Sequence, residues 1–211
     1  MLVRVLQRSP RVVIGYPSTR VLLVADRGIE GAGLLEPIRN ALDAGGLPHT
    51  SALDISSNPL ESEVLAATRA FQEFEADVVL AVGGGSVVDV AKLVRVAATH
   101  PEPLAQYDDA IGGSTKIVDP LPPMIAIPTT AGTGSEAQSF ALISDAKTHV
   151  KMACGDKKAS CRVALLDPEL TLTQPRTITA LTGIDAFAHA LETYVTSKRN
   201  PASLAFSRDA G

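Results

Sequence analysis

Short apolar runs alternate along the chain with segments of helical periodicity. Residues 21–25 (VLLVA) and 77–82 (DVVLAV) are nearly continuous apolar runs, which is the pattern of strands covered on both faces. Further strand candidates lie at residues 124–127, 140–143 and 163–166. Strands that alternate with helices predict a parallel sheet joined by crossover helices. The expected fold class is therefore α/β.

Capping residues predict where two of the helices begin. Asn58 is a suitable N-cap, with Pro59 in the first turn and Glu61 three residues after the cap. Ser86 and Asp89 have the same spacing and predict a second capping box, directly after a run of three glycines.

The pattern changes after residue 175, where apolar positions repeat only at helical spacing and no strand pattern returns. These positions are Ile184, Phe187, Ala188, Leu191 and Val195. We therefore predict two domains: an α/β domain over residues 1–175 and the first helices of an all-α domain over residues 176–211. So few helices cannot bury their own apolar faces, so the second domain is expected to be incomplete in this chain.

Composition narrows the class of protein. Of 211 residues, 45% are hydrophobic and 20% are charged, which allows a buried core and argues against disorder. The net charge of -4 disfavours a nucleic-acid partner. The sequence has no secretory signal and no apolar stretch of the roughly 18 residues that a membrane helix needs. Cys154 and Cys161 suit two reduced thiols, so the expected location is cytoplasmic.

The glycines at positions 83–85 lie between a predicted strand and a predicted helix. Glycine lets the backbone approach an anion, and the start of a helix presents free N–H groups to it. A tight turn that needs positive φ is the alternative explanation, but three consecutive glycines exceed what a turn requires. The spacing matches neither GxGxxG nor the Walker pattern. A site for a diphosphate is therefore favoured.

Two other features permit a ligand without requiring one. Asp26 follows the first strand, where a carboxylate can accept hydrogen bonds from a ribose diol or simply cap a helix. The loop at residues 128–136 (PTTAGTGSE) is rich in hydroxyl groups, which bind ligand oxygens or satisfy the turn itself. Each feature alone leaves both explanations open.

Asp185 and His189 lie four residues apart in GIDAFAHALE, so both side chains share one face of a helix. A carboxylate oxygen and an imidazole nitrogen suit iron or zinc. For an isolated pair, however, a hydrogen-bonded surface pair is the more common arrangement. The sequence alone assigns no chemistry to the other histidines, and it identifies no catalytic acid or base.

Four motifs together resemble the iron-containing alcohol dehydrogenase family. GGGSVVDVAK, IPTTAGTGSE, LLDPELT and TGIDAFAHALETY occur in that family's order and spacing, and the resemblance spans residues 12–211. It implies a Rossmann-like domain followed by an all-helical domain, with cofactor and metal in the cleft between them. It also implies NAD(P)-dependent interconversion of a small alcohol with an aldehyde or ketone.

The resemblance also implies site residues. The implied cofactor contacts are Asp26, Gly84, Gly85, Ser86, Asp89, Thr129, Thr130, Ser135 and Lys151. Asp26 matches a residue at the adenosine ribose and implies NAD rather than NADP. Asp89 matches one near the nicotinamide, and Lys151 a lysine near the nucleotide. Asp185 and His189 match the first two ligands of Fe²⁺ or Zn²⁺.

This chain departs from the family in two places. The helix expected between the first two strands is absent, and no histidine follows His189 to complete the metal site. Two hypotheses therefore stay open: an NAD-dependent alcohol dehydrogenase, completed by another subunit of a homo-oligomer, or a non-catalytic nucleotide-binding remnant. The sequence around His189 disfavours relatives such as glycerol dehydrogenase or dehydroquinate synthase.

Overall fold

The protein is described by a computed structural model over residues 20–198 and 200–209. Within these residues, five parallel strands form one sheet: β1 (Val21–Val24), β2 (His49–Ala52), β3 (Val78–Gly83), β4 (Met124–Pro128) and β7 (Val163–Ala164). Their order in the sheet is β2-β1-β3-β4-β7. The parallel sheet predicted from the apolar runs is confirmed. The predicted deletion before β1 falls on residues 1–19, outside the described residues.

A separate antiparallel pair is formed by β5 (Phe140–Ser144) and β6 (Lys151–Gly155). Its register places Phe140 opposite Gly155 and Ser144 opposite Lys151. The sequence predicted β5 but neither β6 nor β2.

Six α-helices lie in the described part of the chain. They are α1 (Arg27–Gly31), α2 (Glu36–Ala44), α3 (Glu61–Glu73), α4 (Gly85–Ala97), α5 (Arg176–Val195) and α6 (Pro201–Asp209). No described helix is both long and apolar enough to cross a membrane. Helix α5 begins at the residue where the sequence predicted a second domain, and this division stays a prediction.

The core lies on both faces of the sheet, as the continuous apolar strands predicted. Leu22 and Val24 of β1 point to one face, where they join α3, α4 and the β5–β6 pair. Val21 and Leu23 point to the other face and pack with α2 around Leu42. Successive strand residues alternate between faces, so a strand buried on both sides must be apolar at every position.

The capping prediction for α3 is wrong. The helix begins at Glu61, with Leu60 as an N-cap that makes no side-chain bond. Leu60 is instead extended and forms a β-bridge with Ser144 of β5, whose amide donates to the Pro59 carbonyl at 2.8 Å. This long-range pairing takes Asn58 out of capping range and delays the start of the helix.

The capping box predicted for α4 is also wrong. Gly84 is the N-cap and provides no side chain. The Ser86 hydroxyl donates to the Ser57 carbonyl at 2.8 Å. Asp89 is buried and forms an ion pair with Lys92, with 3.0 Å between Oδ1 and Nζ. Ser86 and Asp89 therefore make tertiary contacts in place of the capping bonds that their local spacing predicts.

Candidate functional site

A cavity of about 640 Å³ lies at the carboxyl edge of the parallel sheet. Its walls come from the segments after β1, β2, β3 and β4 and from the first half of α5. Lining residues used below are Asp26, Arg27, Gly84, Gly85, Ser86, Thr129, Thr130, Thr133, Ile178, Leu181 and Thr182. In open α/β sheets this edge is where ligands bind, because the strand ends and the helix N-termini converge there.

The three glycines serve close packing rather than an unusual turn. None of Gly83, Gly84 and Gly85 has a positive φ, so the turn explanation considered from the sequence is wrong. A Cβ on Gly83 would lie 2.7 Å from a methyl group of Val87, and one on Gly85 would lie 3.0 Å from the Ser135 hydroxyl. The glycines therefore allow the first turn of α4 to approach the hydroxyl-rich loop, leaving its N–H groups at the cavity.

Thr130 provides a polar atom that has no partner within the described protein. Its Oγ1 is buried and makes no hydrogen bond. Leaving a buried hydroxyl unpaired costs about 1–3 kcal/mol. A Cβ added at Gly84 would lie 3.5 Å from this oxygen, so the hydroxyl is adjacent to the start of α4. An anionic ligand at the helix N-terminus would accept a hydrogen bond from this hydroxyl, and the arrangement therefore fits a diphosphate.

Asp26 caps a helix and also lies at the cavity. Its Oδ1 accepts a hydrogen bond from the Ile29 amide at 2.9 Å, which caps α1. The same residue also lines the cavity. Capping is thus confirmed, and a contact to ribose stays a prediction.

Arg27 lies beside Asp26 at the cavity rim but is balanced by carboxylates. Its guanidinium bonds Asp54 at 3.0 Å and Glu30 at 3.1 Å. Hydrogen bonds to Asp54 and then to Glu30 raise the pKa of Arg27. The pKa of Glu30 is lowered, chiefly by its hydrogen bond from Arg39. The two carboxylates therefore compensate the positive charge of Arg27 at the cavity rim.

Three of the predicted cofactor residues do not line the cavity. Ser135 is buried directly behind Gly85. Asp89 is buried on the inner side of α4 and accepts a hydrogen bond from the Leu142 amide at 3.0 Å. Lys151 is exposed on β6. Their roles at the nucleotide stay predictions, and any role of Asp89 would act through its buried partners.

Sequence reasoning missed two contributors to this region. Lys92 is fully buried, and its spacing of three from Asp89 within the apolar run VVDVAKLV was a usable signal. The wall formed by Ile178, Leu181 and Thr182 had no such signal, because it depends on a long-range contact between α5 and the loop after β4.

Asp185 and His189 share one face of α5, as predicted. Oδ1 of Asp185 lies 3.7 Å from Nε2 of His189, and their side chains are 46% and 48% exposed. Within residues 20–198 and 200–209, no group of three or more His, Cys, Asp or Glu side chains could hold a metal ion. Catalytic metal sites use three protein ligands and an open position. These two residues therefore offer only part of such a site.

Comparison with known proteins agrees with this architecture. A family model described as iron-containing alcohol dehydrogenase matches residues 4–168. The chain is 40% identical over 184 residues to 4-hydroxybutyrate dehydrogenase of Cupriavidus necator, covering 86% of the chain and 47% of that relative. It is 34% identical over 188 residues to NAD-dependent methanol dehydrogenase of Bacillus methanolicus, covering 89% and 48%.

The solved structure of a 1,3-propanediol oxidoreductase superposes with a TM-score of 0.86 at 31% identity, covering 98% of the chain and 52% of that structure. The chain thus spans about half the length of the curated relatives it matches. The model match extends over most of the chain and includes both the glycine turn and the hydroxyl-rich loop. The chain therefore belongs to the iron-containing alcohol dehydrogenase family.

Proposed function

We propose that this chain supplies the NAD-binding half of an alcohol dehydrogenase that interconverts a small alcohol and an aldehyde or ketone. The observation that carries the proposal is the buried, unpartnered hydroxyl of Thr130 next to the glycine start of α4, at the base of the cavity. A relative named as an NAD-dependent methanol dehydrogenase supports the choice of cofactor.

The diphosphate of NAD would lie against Gly84 and Gly85. There it would receive backbone N–H groups, the positive end of the α4 dipole and the Thr130 hydroxyl. Ser86 would contribute its backbone amide, because its hydroxyl already donates to Ser57. Thr129 would hold the loop in place, since its amide donates to the Gly83 carbonyl at 3.0 Å.

Asp185 and His189 would provide two ligands of the metal, which we propose to be Fe²⁺ from the family description and the mixed oxygen and nitrogen donors. When bound, such an ion polarises the alcohol oxygen and favours its alkoxide before hydride transfer. The remaining ligands would come from outside the described residues, and a second copy of this chain is one candidate source.

The nucleotide site can be tested with Gly84→Val. The backbone at Gly84 has φ -78° and ψ -172°, which valine accepts, so the fold should persist. The added side chain would fill the space in front of Thr130, and NAD⁺ affinity should fall by at least about tenfold, or ~1.4 kcal/mol. Calorimetric titration measures this, with circular dichroism as a check of folding.

Gly31→Val is the matched control, since a Cβ there meets nothing within 4 Å. It should bind NAD⁺ as the unmodified chain does. Unchanged NAD⁺ affinity in Gly84→Val would show that the glycines serve packing alone and would remove the main support for the proposal.

Cofactor preference tests the ribose role of Asp26. A carboxylate near a 2′-phosphate should disfavour NADP⁺ by about 1–3 kcal/mol. Asp26→Asn removes the charge but can still cap α1 through its side-chain oxygen, so folding and NAD⁺ binding should be preserved while the preference shrinks. Titration of both cofactors against both proteins decides the matter. Equal NAD⁺ and NADP⁺ affinities in the unmodified chain would contradict this role.

A further inference from the structure

The hydroxyl-rich loop touches helix α5 at a position that only glycine can occupy. Gly132 has φ +132°, a conformation that L residues rarely adopt. A Cβ there would lie 2.1 Å from the backbone oxygen of Thr182 and 2.8 Å from its carbonyl carbon. The loop backbone is therefore packed directly against the helix backbone, with no side chain between them.

This contact joins the two candidate sites. On the loop, Thr130 and Thr133 flank Gly132 and line the cavity, and Thr130 presents its unpaired hydroxyl. On the helix, Thr182 lines the same cavity and precedes Asp185 by one turn. A ligand that binds Thr130 thus acts on the segment that contacts α5 close to its metal-binding pair.

Apart from its packing against α6, helix α5 has few contacts in the described structure to fix its orientation. None of its 20 residues is buried. A side-chain bond from Gln174 Nε2 to Thr182 Oγ1 at 3.3 Å ties the start of the helix to the preceding segment. Elements with few buried contacts open locally at low free-energy cost, so a contact made through the backbone has a large influence on such a helix.

We propose that Gly132 is a positioning residue through which occupation of the nucleotide cavity fixes α5, and with it the pair Asp185 and His189. The inference rests on the proposed function in one respect, namely that NAD⁺ binds against Thr130. The nucleotide orders the loop, and the loop backbone holds the helix backbone at Thr182. By linkage, a helix held in this orientation also raises NAD⁺ affinity.

Hydrogen exchange of the α5 amides tests the proposal in the full chain, with and without saturating NAD⁺. In the unmodified protein, NAD⁺ should slow exchange across residues 180–190 by at least ~5-fold. In Gly132→Ala the methyl group forces loop and helix apart, so NAD⁺ should still bind but should no longer slow exchange in α5.

Gly134→Ala is the matched control in the same loop. It also has a positive φ, of +64°, but its Cβ would meet only Gln138, at 3.9 Å. NAD⁺ should therefore slow exchange in α5 of this variant as in the unmodified protein. If NAD⁺ slows exchange in both variants, or in neither, the contact with Thr182 does not account for the effect, and the proposal is wrong.

The outcomes of these experiments distinguish a failure of this inference from a failure of the proposed function. Absence of NAD⁺ binding to the unmodified chain would overturn the nucleotide site itself. Normal NAD⁺ binding with unchanged exchange in α5 would overturn only the role of Gly132. The exchange measurement on the unmodified protein is enough to detect this second outcome. The inference can therefore be refuted even if circular dichroism shows that Gly132→Ala does not fold.

Discussion

Helices α4 and α5 each carry an acidic and a basic side chain one turn apart, in opposite surroundings. In α4, ten of 13 residues are buried, and the Asp89–Lys92 ion pair is almost completely removed from solvent. In α5, none of 20 residues is buried, and Asp185 and His189 are each about half exposed. The buried pair of α4 therefore serves the fold, whereas the exposed pair of α5 is accessible to a ligand.

The Asp89–Lys92 pair of α4 is hydrogen-bonded to the backbone of β5. Lys92 Nζ donates to Asp89 at 3.0 Å and to the Phe140 carbonyl at 2.7 Å. The other carboxylate oxygen of Asp89 accepts from the Leu142 amide. The pair therefore satisfies the edge of β5 and attaches the β5–β6 hairpin to α4.

Arg95, one turn further along α4, shows the same use of a buried charge. It donates to the Ala159 carbonyl at 2.9 Å and also to the Pro122 carbonyl. Burial lowers the pKa of Arg95 to about 10, because it removes solvent from the charged guanidinium. Helix α4 is thus connected through polar side chains to the segments on either side of it.

The largest effect is expected from Lys92→Ala. Removing one member of a buried ion pair leaves an uncompensated charge on Asp89, at a cost of about 3–5 kcal/mol in the free energy of unfolding. Urea denaturation measures this cost. The exposed Lys116 is the control, and Lys116→Ala should change stability by no more than about 0.5 kcal/mol. If the two alanine variants have the same stability, the Asp89–Lys92 pair is not what attaches β5 to α4.

The same contrast explains which strands could be predicted. Strands β1 and β3 are apolar at nearly every position because both of their faces are covered, and such runs are recognisable in a sequence. Strand β2, with the sequence HTSA, lies at the sheet edge and is only half-buried, so its polar residues gave no signal. Strand β6 exists through its pairing with β5, which no local pattern indicates.

For the candidate site, local patterns supplied candidate residues, whereas the long-range contacts left no signal in the sequence. A glycine run between a strand and a helix predicted a site for a diphosphate, and this site stays a prediction. Ser86 and Asp89 could not be placed correctly, because Ser57 and Lys92 compete for their side chains. The contact of Gly132 with Thr182 spans fifty residues of sequence, and only the folded chain reveals it.

A smaller effect is expected from replacing exposed apolar residues of α5. Phe187 is 65% exposed and Leu191 is 48% exposed, on the same helix. Phe187→Ser with Leu191→Ser should change stability by only about 0.5 kcal/mol per site. An exposed apolar patch promotes association, so the double variant should reduce self-association measured by sedimentation equilibrium.

The buried Phe71 of α3 provides the comparison, and Phe71→Ala should destabilise the protein by about 3–5 kcal/mol. A similar loss in the α5 variant would mean that α5 is buried in solution, against the contrast drawn between the two helices.

The smallest effect on the chain is expected from metal ions. Asp185 and His189 provide one oxygen and one nitrogen, and two donors leave most of the coordination sphere to water. An ordered cage is what makes a metal site tight, so bound Fe²⁺ or Zn²⁺ should be substoichiometric after dialysis. Metal analysis of the dialysed protein measures the retained ion. An alcohol oxidation assay that follows NADH absorbance should show no turnover by this chain alone.

A second Asp and His pair in this chain makes the metal prediction specific. Oδ1 of Asp43 lies 3.6 Å from Nδ1 of His49, close to the separation in the α5 pair. His189→Asn should abolish the weak metal binding seen before dialysis, whereas His49→Asn should leave it unchanged, since of the two pairs only the one on α5 lies on an element that lines the nucleotide cavity. Stoichiometric metal that survives dialysis and depends on His189 would contradict weak binding. It would mean that further ligands complete the site, and a concentration-dependent metal content would identify a second copy of the chain as their source.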